Sequence, residues 1–143
     1  MSEVETVYLC KGRESSKKDG KTAIVTSFDK LVAKGNVERE VADTYLEKIV
    51  TGVKAILDDA DNIVEAVAEN FEIRKDIFAE LDGICKEGCY FTTNTSSLPI
   101  NAIGEELSRP LAGMHFFNPA PVMKLVEVVV SEDTPQEMID TLM

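Results

Sequence analysis

The sequence predicts an α/β fold built on a mainly parallel, doubly wound sheet. Short strand candidates alternate along the chain with longer segments of helical periodicity. The strand candidates are apolar almost throughout, as strands covered on both faces are. The chain has 143 residues, 44% of them hydrophobic, which is one domain's worth of an ordinary globular composition.

The elements follow in order. Residues 4–10 (VETVYLC) are β-branched and aromatic and read as a strand. After a polar, basic stretch, Ile24, Phe28, Leu31 and Val32 recur at helical spacing up to Gly35. A second helix carries Val37, Val41, Ala42, Tyr45 and Ile49, and residues 49–53 (IVTGV) form a short strand candidate. Residues 57–61 (LDDAD) are a helix end or turn, and 62–69 (NIVEAVAE) read as a buried strand. The clearest helix spans about Glu72 to Lys86, with Ile73, Ile77, Phe78, Leu81 and Ile84 on one stripe. Residues 89–94 (CYFTTN) are a strand. The loop after it feeds a short helix, with Pro99 suited to the first turn. Strands at 111–116 and 124–130 and a helix opening in TPQEMIDTLM complete the pattern.

Charge and cysteine content exclude several functions. With 26 acidic against 15 basic residues, the net charge is −11. A field of that sign opposes nucleic acid and anionic membrane surfaces, so an anionic ligand must be held locally. No apolar run reaches the ~20 residues of a membrane span. The N-terminus lacks the layout of a signal peptide, so the chain reads as cytoplasmic. Three cysteines, Cys10, Cys85 and Cys89, make an odd count and a poor disulfide framework. Cys85 and Cys89 read as buried thiols, because a zinc site usually needs four ligands; no metal is expected. Gly20-Lys21-Thr22 fails as a phosphate loop, since Ser15 stands where that motif needs a glycine. The cluster KKDGK (17–21) is either a solvated patch or an attraction for phosphates.

Ligands of doubly wound sheets gather at the carboxyl ends of the strands. That places the chemistry just after Asn94 and around His115, the single histidine. Between the strands at 111–116 and 124–130 runs a loop with Pro119 and Pro121, which hold Asn118 in place. Glu127 falls in a run of valines. It is either a glutamate at an exposed strand edge or a carboxylate enclosed in the sheet to serve His115. In the second case it fixes the imidazole's tautomer and favours its charged form, which makes a general base. TNTSSLP (93–99) offers hydroxyls and free backbone N–H groups at a strand end, which serve either a ligand or a helix cap.

Three stretches, NIVEAVAENFEIRKDIFAELDGIC, TNTSSLPI and GMHFFNPAPVMKLVEVV, resemble the L-3-hydroxyacyl-CoA dehydrogenases, in particular their bacterial 3-hydroxybutyryl-CoA branch. The resemblance runs from about residue 4 to 143. It implies a Rossmann-type dinucleotide fold and an NAD-dependent interconversion of 3-hydroxyacyl-CoA and 3-oxoacyl-CoA, in fatty acid or butyrate metabolism. It implies His115 as general acid/base, Glu127 as its carboxylate partner, Ser96 as the hydroxyl on the substrate's C3 oxygen and Asn118 as a supporting, substrate-contacting amide. Glu69, Arg74, Asn94 and Lys11 fall at cofactor-contacting positions, and Ser27 and Lys34 at CoA-contacting ones.

The family's glycine-rich first turn is not found here; glycines occur at 12, 20 and 35. The expectation is a partial Rossmann-type sheet lacking its first βα unit. Residues 1–143 are then an incomplete dinucleotide-binding domain without the helical dimerisation domain. Exposed sheet edges would let copies associate. Lys11 stands where the family has an aspartate that accepts from the adenosine ribose. A cation suits a 2′-phosphate better, so NADP is the alternative to NAD. The competing reading is a non-catalytic fragment, or a binding or structural relative.

Overall fold

A computed structural model describes residues 4–11, 20–120 and 122–143. The polar stretch 12–19, which holds most of the KKDGK cluster and Ser15, lies outside the described residues, as does Pro121. The chain divides into two compact units, Met1–Ile56 and Leu57–Met143.

In the first unit, β1 (Val7–Cys10) pairs in parallel with β2 (Ile49–Gly52), Val7 opposite Ile49 and Cys10 opposite Gly52. A helical hairpin connects them: α1 (Gly20–Ala33) and α2 (Arg39–Glu47). The predicted stop at Gly35 holds. Gly35 adopts φ +70°, its N–H bonds to Val32 O, and the N–H of Asn36 bonds back to Leu31 O. That pattern closes a helix end and needs a residue free of the Cβ clash. Phe28 and Tyr45 stack across the hairpin with ring centroids 6.2 Å apart, and Asp29 meets Arg39 at 2.8 Å. Ile49, expected on the second helix, instead opens β2 as a buried residue.

The second unit carries a four-stranded sheet. Its strands are β3 (Asn62–Glu65), β4 (Tyr90–Thr93), β5 (Leu111–Phe116) and β6 (Val126–Val129), in that order. The first three are parallel and β6 is antiparallel to β5. The parallel crossovers run through α3 (Phe71–Asp82) and α4 (Ile100–Gly104), and α5 (Gln136–Leu142) follows β6. The α/β class and the mainly parallel sheet are as the sequence predicts. The strands nevertheless form two sheets, with no pairing among the described residues between β1 or β2 and β3.

Several boundaries move. The strand expected over 62–69 ends at Glu65, and the strand at 124–130 shortens to Val126–Val129. The helix expected from 72 to 86 is Phe71–Asp82, because Gly83 caps it. Asn70 opens that helix by accepting the Ile73 N–H at 3.0 Å. Arg109 closes it, donating to the carbonyls of Asp82, Cys85 and Lys86 and to the Asp82 carboxylate at 2.7 Å. Its guanidinium also lies over the Phe91 ring, 4.7 Å from the centroid.

Phe78 and Phe91, with centroids 5.4 Å apart, lie in the core with Ile103, Ala112 and Met138. Glycine at 113 lets β5 lie close to Ile100 of α4 and Val129 of β6. A β-carbon there would come within 2.6 Å of Ile100 Cδ1 and 2.9 Å of Val129 Cβ. Cys85 and Cys89 are buried free thiols, as read from the sequence. Burial pushes the Cys89 thiol up to about 12, which keeps it protonated and unreactive. Among the described residues, no helix is long and apolar enough to cross a membrane.

Candidate active site

The carboxyl ends of β3, β4 and β5 come together in the second unit, and Asn94 ties them. Its backbone N–H donates to Glu65 O of β3 at 2.7 Å. Its side-chain Oδ1 accepts the N–H of Phe116 on β5 at 3.0 Å. The carboxamide thus ties the end of β4 to the last residue of β5. The chain then departs through Thr95 and the exposed Ser96, while β5 runs on to Phe116 paired with β6.

On β5, His115 is paired in register with Glu127 on β6. Imidazole Nδ1 lies 3.4 Å from Glu127 Oε2, a loose contact by the standard of a charge-assisted bond. The His115 side chain is 23% exposed and packs on Phe117, with ring centroids 4.7 Å apart. The two residues meet, but the expected enclosure of Glu127 is wrong: its side chain is 57% exposed. β6 is one of the two outer strands of the sheet, and the cross-strand neighbour of the histidine lies in reach of water.

Asn118 is exposed in the loop between these strands, and the Asn118–Pro119 peptide is cis. The loop closes on Pro119, whose carbonyl accepts the N–H groups of Val122 and Met123.

A second cluster lies beneath the end of β4. The guanidinium of Arg74, on α3, is 1% exposed. It donates to the Glu65 carboxylate, to Thr93 Oγ1 at 2.7 Å, to Val67 O at 3.1 Å and to Glu69 Oε2 at 2.7 Å. Thr93 in turn donates to Glu65 at 2.6 Å. Arg74, expected at a cofactor-contacting position, has almost no exposed surface, and internal acceptors take its terminal nitrogens. Glu69 is the outermost member at 41% exposure. It accepts from the hydroxyls of Thr95 and, at 3.2 Å, Ser97. The Thr95 bond, outweighing the cost of desolvation and helped by Arg74, holds its carboxyl below the ordinary glutamate range.

Glu65 was not singled out from the sequence, and Thr93, Thr95 and Ser97 were read only as hydroxyls of the stretch 93–99. A signal for Glu65 was present. A carboxylate inside the apolar run IVEAVA invites the same question as Glu127, and here the group is indeed buried, at 4% exposure.

The remaining candidates belong to the first unit. Lys11 is exposed directly after β1, Ser27 lies on α1 with its hydroxyl donating to Ala23 O at 3.1 Å, and Lys34 follows the end of α1. Among the described residues, no three His, Cys, Asp or Glu side chains gather as metal ligands would.

Residues 2–143 match the family model described as 3-hydroxyacyl-CoA dehydrogenase, NAD binding domain. The chain is 44% identical over 115 residues to the 3-hydroxyadipyl-CoA dehydrogenase of Escherichia coli, covering 78% of this chain and 24% of that protein. It is 42% identical over 119 residues to a 3-hydroxybutyryl-CoA dehydrogenase of Clostridioides difficile, covering 81% and 42%. Among solved structures, an E. coli 3-hydroxybutyryl-CoA dehydrogenase superposes with a TM-score of 0.87 at 36% identity, over 96% of this chain and 30% of that one. The (S)-3-hydroxybutyryl-CoA dehydrogenase of Ralstonia eutropha gives 0.88 at 28%, over 96% and 50%. The chain spans less than half the length of the two curated relatives.

Proposed function

This chain belongs to the 3-hydroxyacyl-CoA dehydrogenase family, through the NAD-binding domain it matches, and on that premise we propose that it serves the interconversion of 3-hydroxyacyl-CoA and 3-oxoacyl-CoA, with His115 moving the proton. One observation carries the reading. The β5–β6 register sets His115 opposite Glu127 with Nδ1 turned to the carboxylate, which leaves Nε2 to face a substrate hydroxyl.

In the oxidising direction, neutral His115 accepts the C3 hydroxyl proton at Nε2, and Glu127 stabilises the imidazolium that forms. In the reducing direction, the imidazolium returns that proton to the carbonyl oxygen. Ser96, whose hydroxyl takes no bond among the described residues, donates to the same C3 oxygen. Asn118 supports the substrate from the adjoining loop. Ser27 and Lys34 are proposed contacts for the CoA portion.

A bound nicotinamide supplies the hydride acceptor or donor. The residues at the carboxyl ends of β3 and β4 fit its ribose region. Glu69 offers a half-exposed carboxylate, and Asn94 marks the strand end where such ligands lie. Arg74 does not take part directly. At the adenosine end, Lys11 offers a cation where an acceptor would suit NAD, so it favours a 2′-phosphate. The same lysine supports a second reading, a family relative that does not turn over.

The test is turnover of acetoacetyl-CoA with NADH and with NADPH, followed by cofactor absorbance, for the chain and for His115→Gln. The expected loss is about 10²–10⁴-fold, the worth of a positioned general acid. Turnover indifferent to His115→Gln removes the mechanism. Folded chain without turnover on either cofactor favours the second reading.

A further inference from the structure

We propose that Arg74 and Glu65 are positioning residues: a buried relay that holds the Glu69 carboxylate so that it clamps the loop presenting Ser96. The proposal rests on Ser96 being the substrate-facing hydroxyl.

The relay starts from groups that have no other evident use. Burying a guanidinium and a carboxylate together is unfavourable unless their hydrogen bonds are nearly all made. Here they nearly are. Glu65 takes Arg74, Thr93 and the Val67 N–H, and four acceptors ring Arg74. The exception is Arg74 Nε, buried without a partner. A simple strap between β3 and β4 would need only Glu65 and Thr93. Arg74 instead extends its second terminal nitrogen outward to Glu69.

Glu69 divides its two oxygens. Oε2 is fixed by Arg74, and Oε1 receives the hydroxyls of Thr95 and Ser97. Thr95 Oγ1 passes the constraint on by accepting the N–H of Leu98 at 3.0 Å. The turn from 95 to 98 is therefore bonded at Thr95, Ser97 and Leu98, while the hydroxyl of Ser96 stays uncommitted among the described residues. Such support from a surrounding hydrogen-bond shell is what holds a reacting group to a narrow geometry.

The clamp depends on charge, which separates it from packing. A carboxylate accepts both hydroxyls and the guanidinium; a protonated or amide group cannot accept all three equally well. The clamp is thus complete above the ordinary glutamate range and opens as pH falls through the lowered value of Glu69 in the fold.

The experiment is amide exchange and chemical shift by NMR on the 143-residue chain. In the unmodified chain, the Ser97 and Leu98 amides are expected to titrate together with the Glu69 carboxyl carbon. Glu69→Gln should abolish that titration and speed Leu98 exchange about tenfold, as loss of a charge-assisted bond does, with the Thr92 and Ala112 amides unchanged. Thr95→Val should speed Leu98 exchange similarly. Arg74→Lys should retain the coupled titration, and Arg74→Met should raise its midpoint. If Arg74→Met does not fold, the Glu69 and Thr95 variants decide. A Leu98 amide that ignores pH and Glu69→Gln overturns the proposal. So does a variant that loosens the sheet amides as much as the loop. None of these readouts uses turnover, so failure of the dehydrogenase reading, seen with His115→Gln, is distinguishable from failure of the clamp.

Discussion

At the residue scale, composition and spacing identified the polar groups better than they identified their surroundings. His115 and Glu127 do meet, but Glu127 is the exposed partner, and the enclosed carboxylate is Glu65. Both glutamates stand in valine- and isoleucine-rich runs. What separates them is cover, since β3 and β6 both end the sheet: the end of β3 is overlain by Arg74 and Thr93, while the Glu127 side chain is 57% exposed. Cover of that kind comes from long-range contacts, which a local pattern does not contain. The enclosure of Arg74 was not legible for the same reason, since its partners come from β3, β4 and the loop after β3. The exposure of Glu127 yields a prediction. Water screens an ion pair at this position, so Glu127→Gln should change stability by less than about 1 kcal/mol. It should also lower kcat less than His115→Gln does, and the loss should shrink as salt is added. Thermal unfolding and steady-state kinetics across ionic strength check both parts. A loss equal to that of His115→Gln means that the carboxylate is enclosed when substrate is bound.

At the element scale, periodicity found the strands and helices, and local chemistry moved their ends. Helix α3 stops at Asp82 although Ile84 continues its apolar stripe, because Gly83 and Arg109 end it. Arg109 comes from a loop 27 residues away, so no window around the helix reveals it. Its fork satisfies carbonyls at the helix end and a mostly buried Asp82. Arg109→Ala leaves those acceptors unpaired and uncovers Phe91. The expected cost is about 2–3 kcal/mol, read as a lower urea midpoint with unchanged slope. Arg109→Lys should recover only part of it, since an ammonium lacks the planar fork. Asp82 adds a pH dependence. Burial pushes its carboxyl up, but the Ser108 N–H and hydroxyl and the Arg109 guanidinium together hold it below the ordinary range. Its stabilisation is therefore full above the ordinary aspartate value and is lost as pH falls through the folded one. Asp82→Asn should flatten that part of the acid limb in a pH series of urea melts. An unchanged acid limb would assign the dependence to other carboxylates.

At the scale of the whole molecule, alternating strands and helices sufficed to read the α/β class, and the resemblance supplied the expectation of a sheet without its first strand. The division into Met1–Ile56 and Leu57–Met143 was not legible, because hydrophobic content is spread evenly enough to pass for one core. Burial is not spread evenly. Among the described residues, the first unit encloses only Ala42 and Ile49, and α1 buries no residue at all. The second unit holds Phe78, Phe91, Ile103, Ala112 and Met138 nearly without exposure. Amide exchange follows the free energy of the opening that exposes each group, and sparsely packed elements open locally. The amides of α1 should therefore exchange about 100-fold or more faster than those of Thr92 and Ala112, although both sets are hydrogen-bonded. Mild denaturant should speed the core amides and leave α1 almost unchanged, because a local opening exposes little new surface. Protection in α1 equal to that of β4 and β5, with the same denaturant dependence, would show that the helical hairpin opens only with global unfolding.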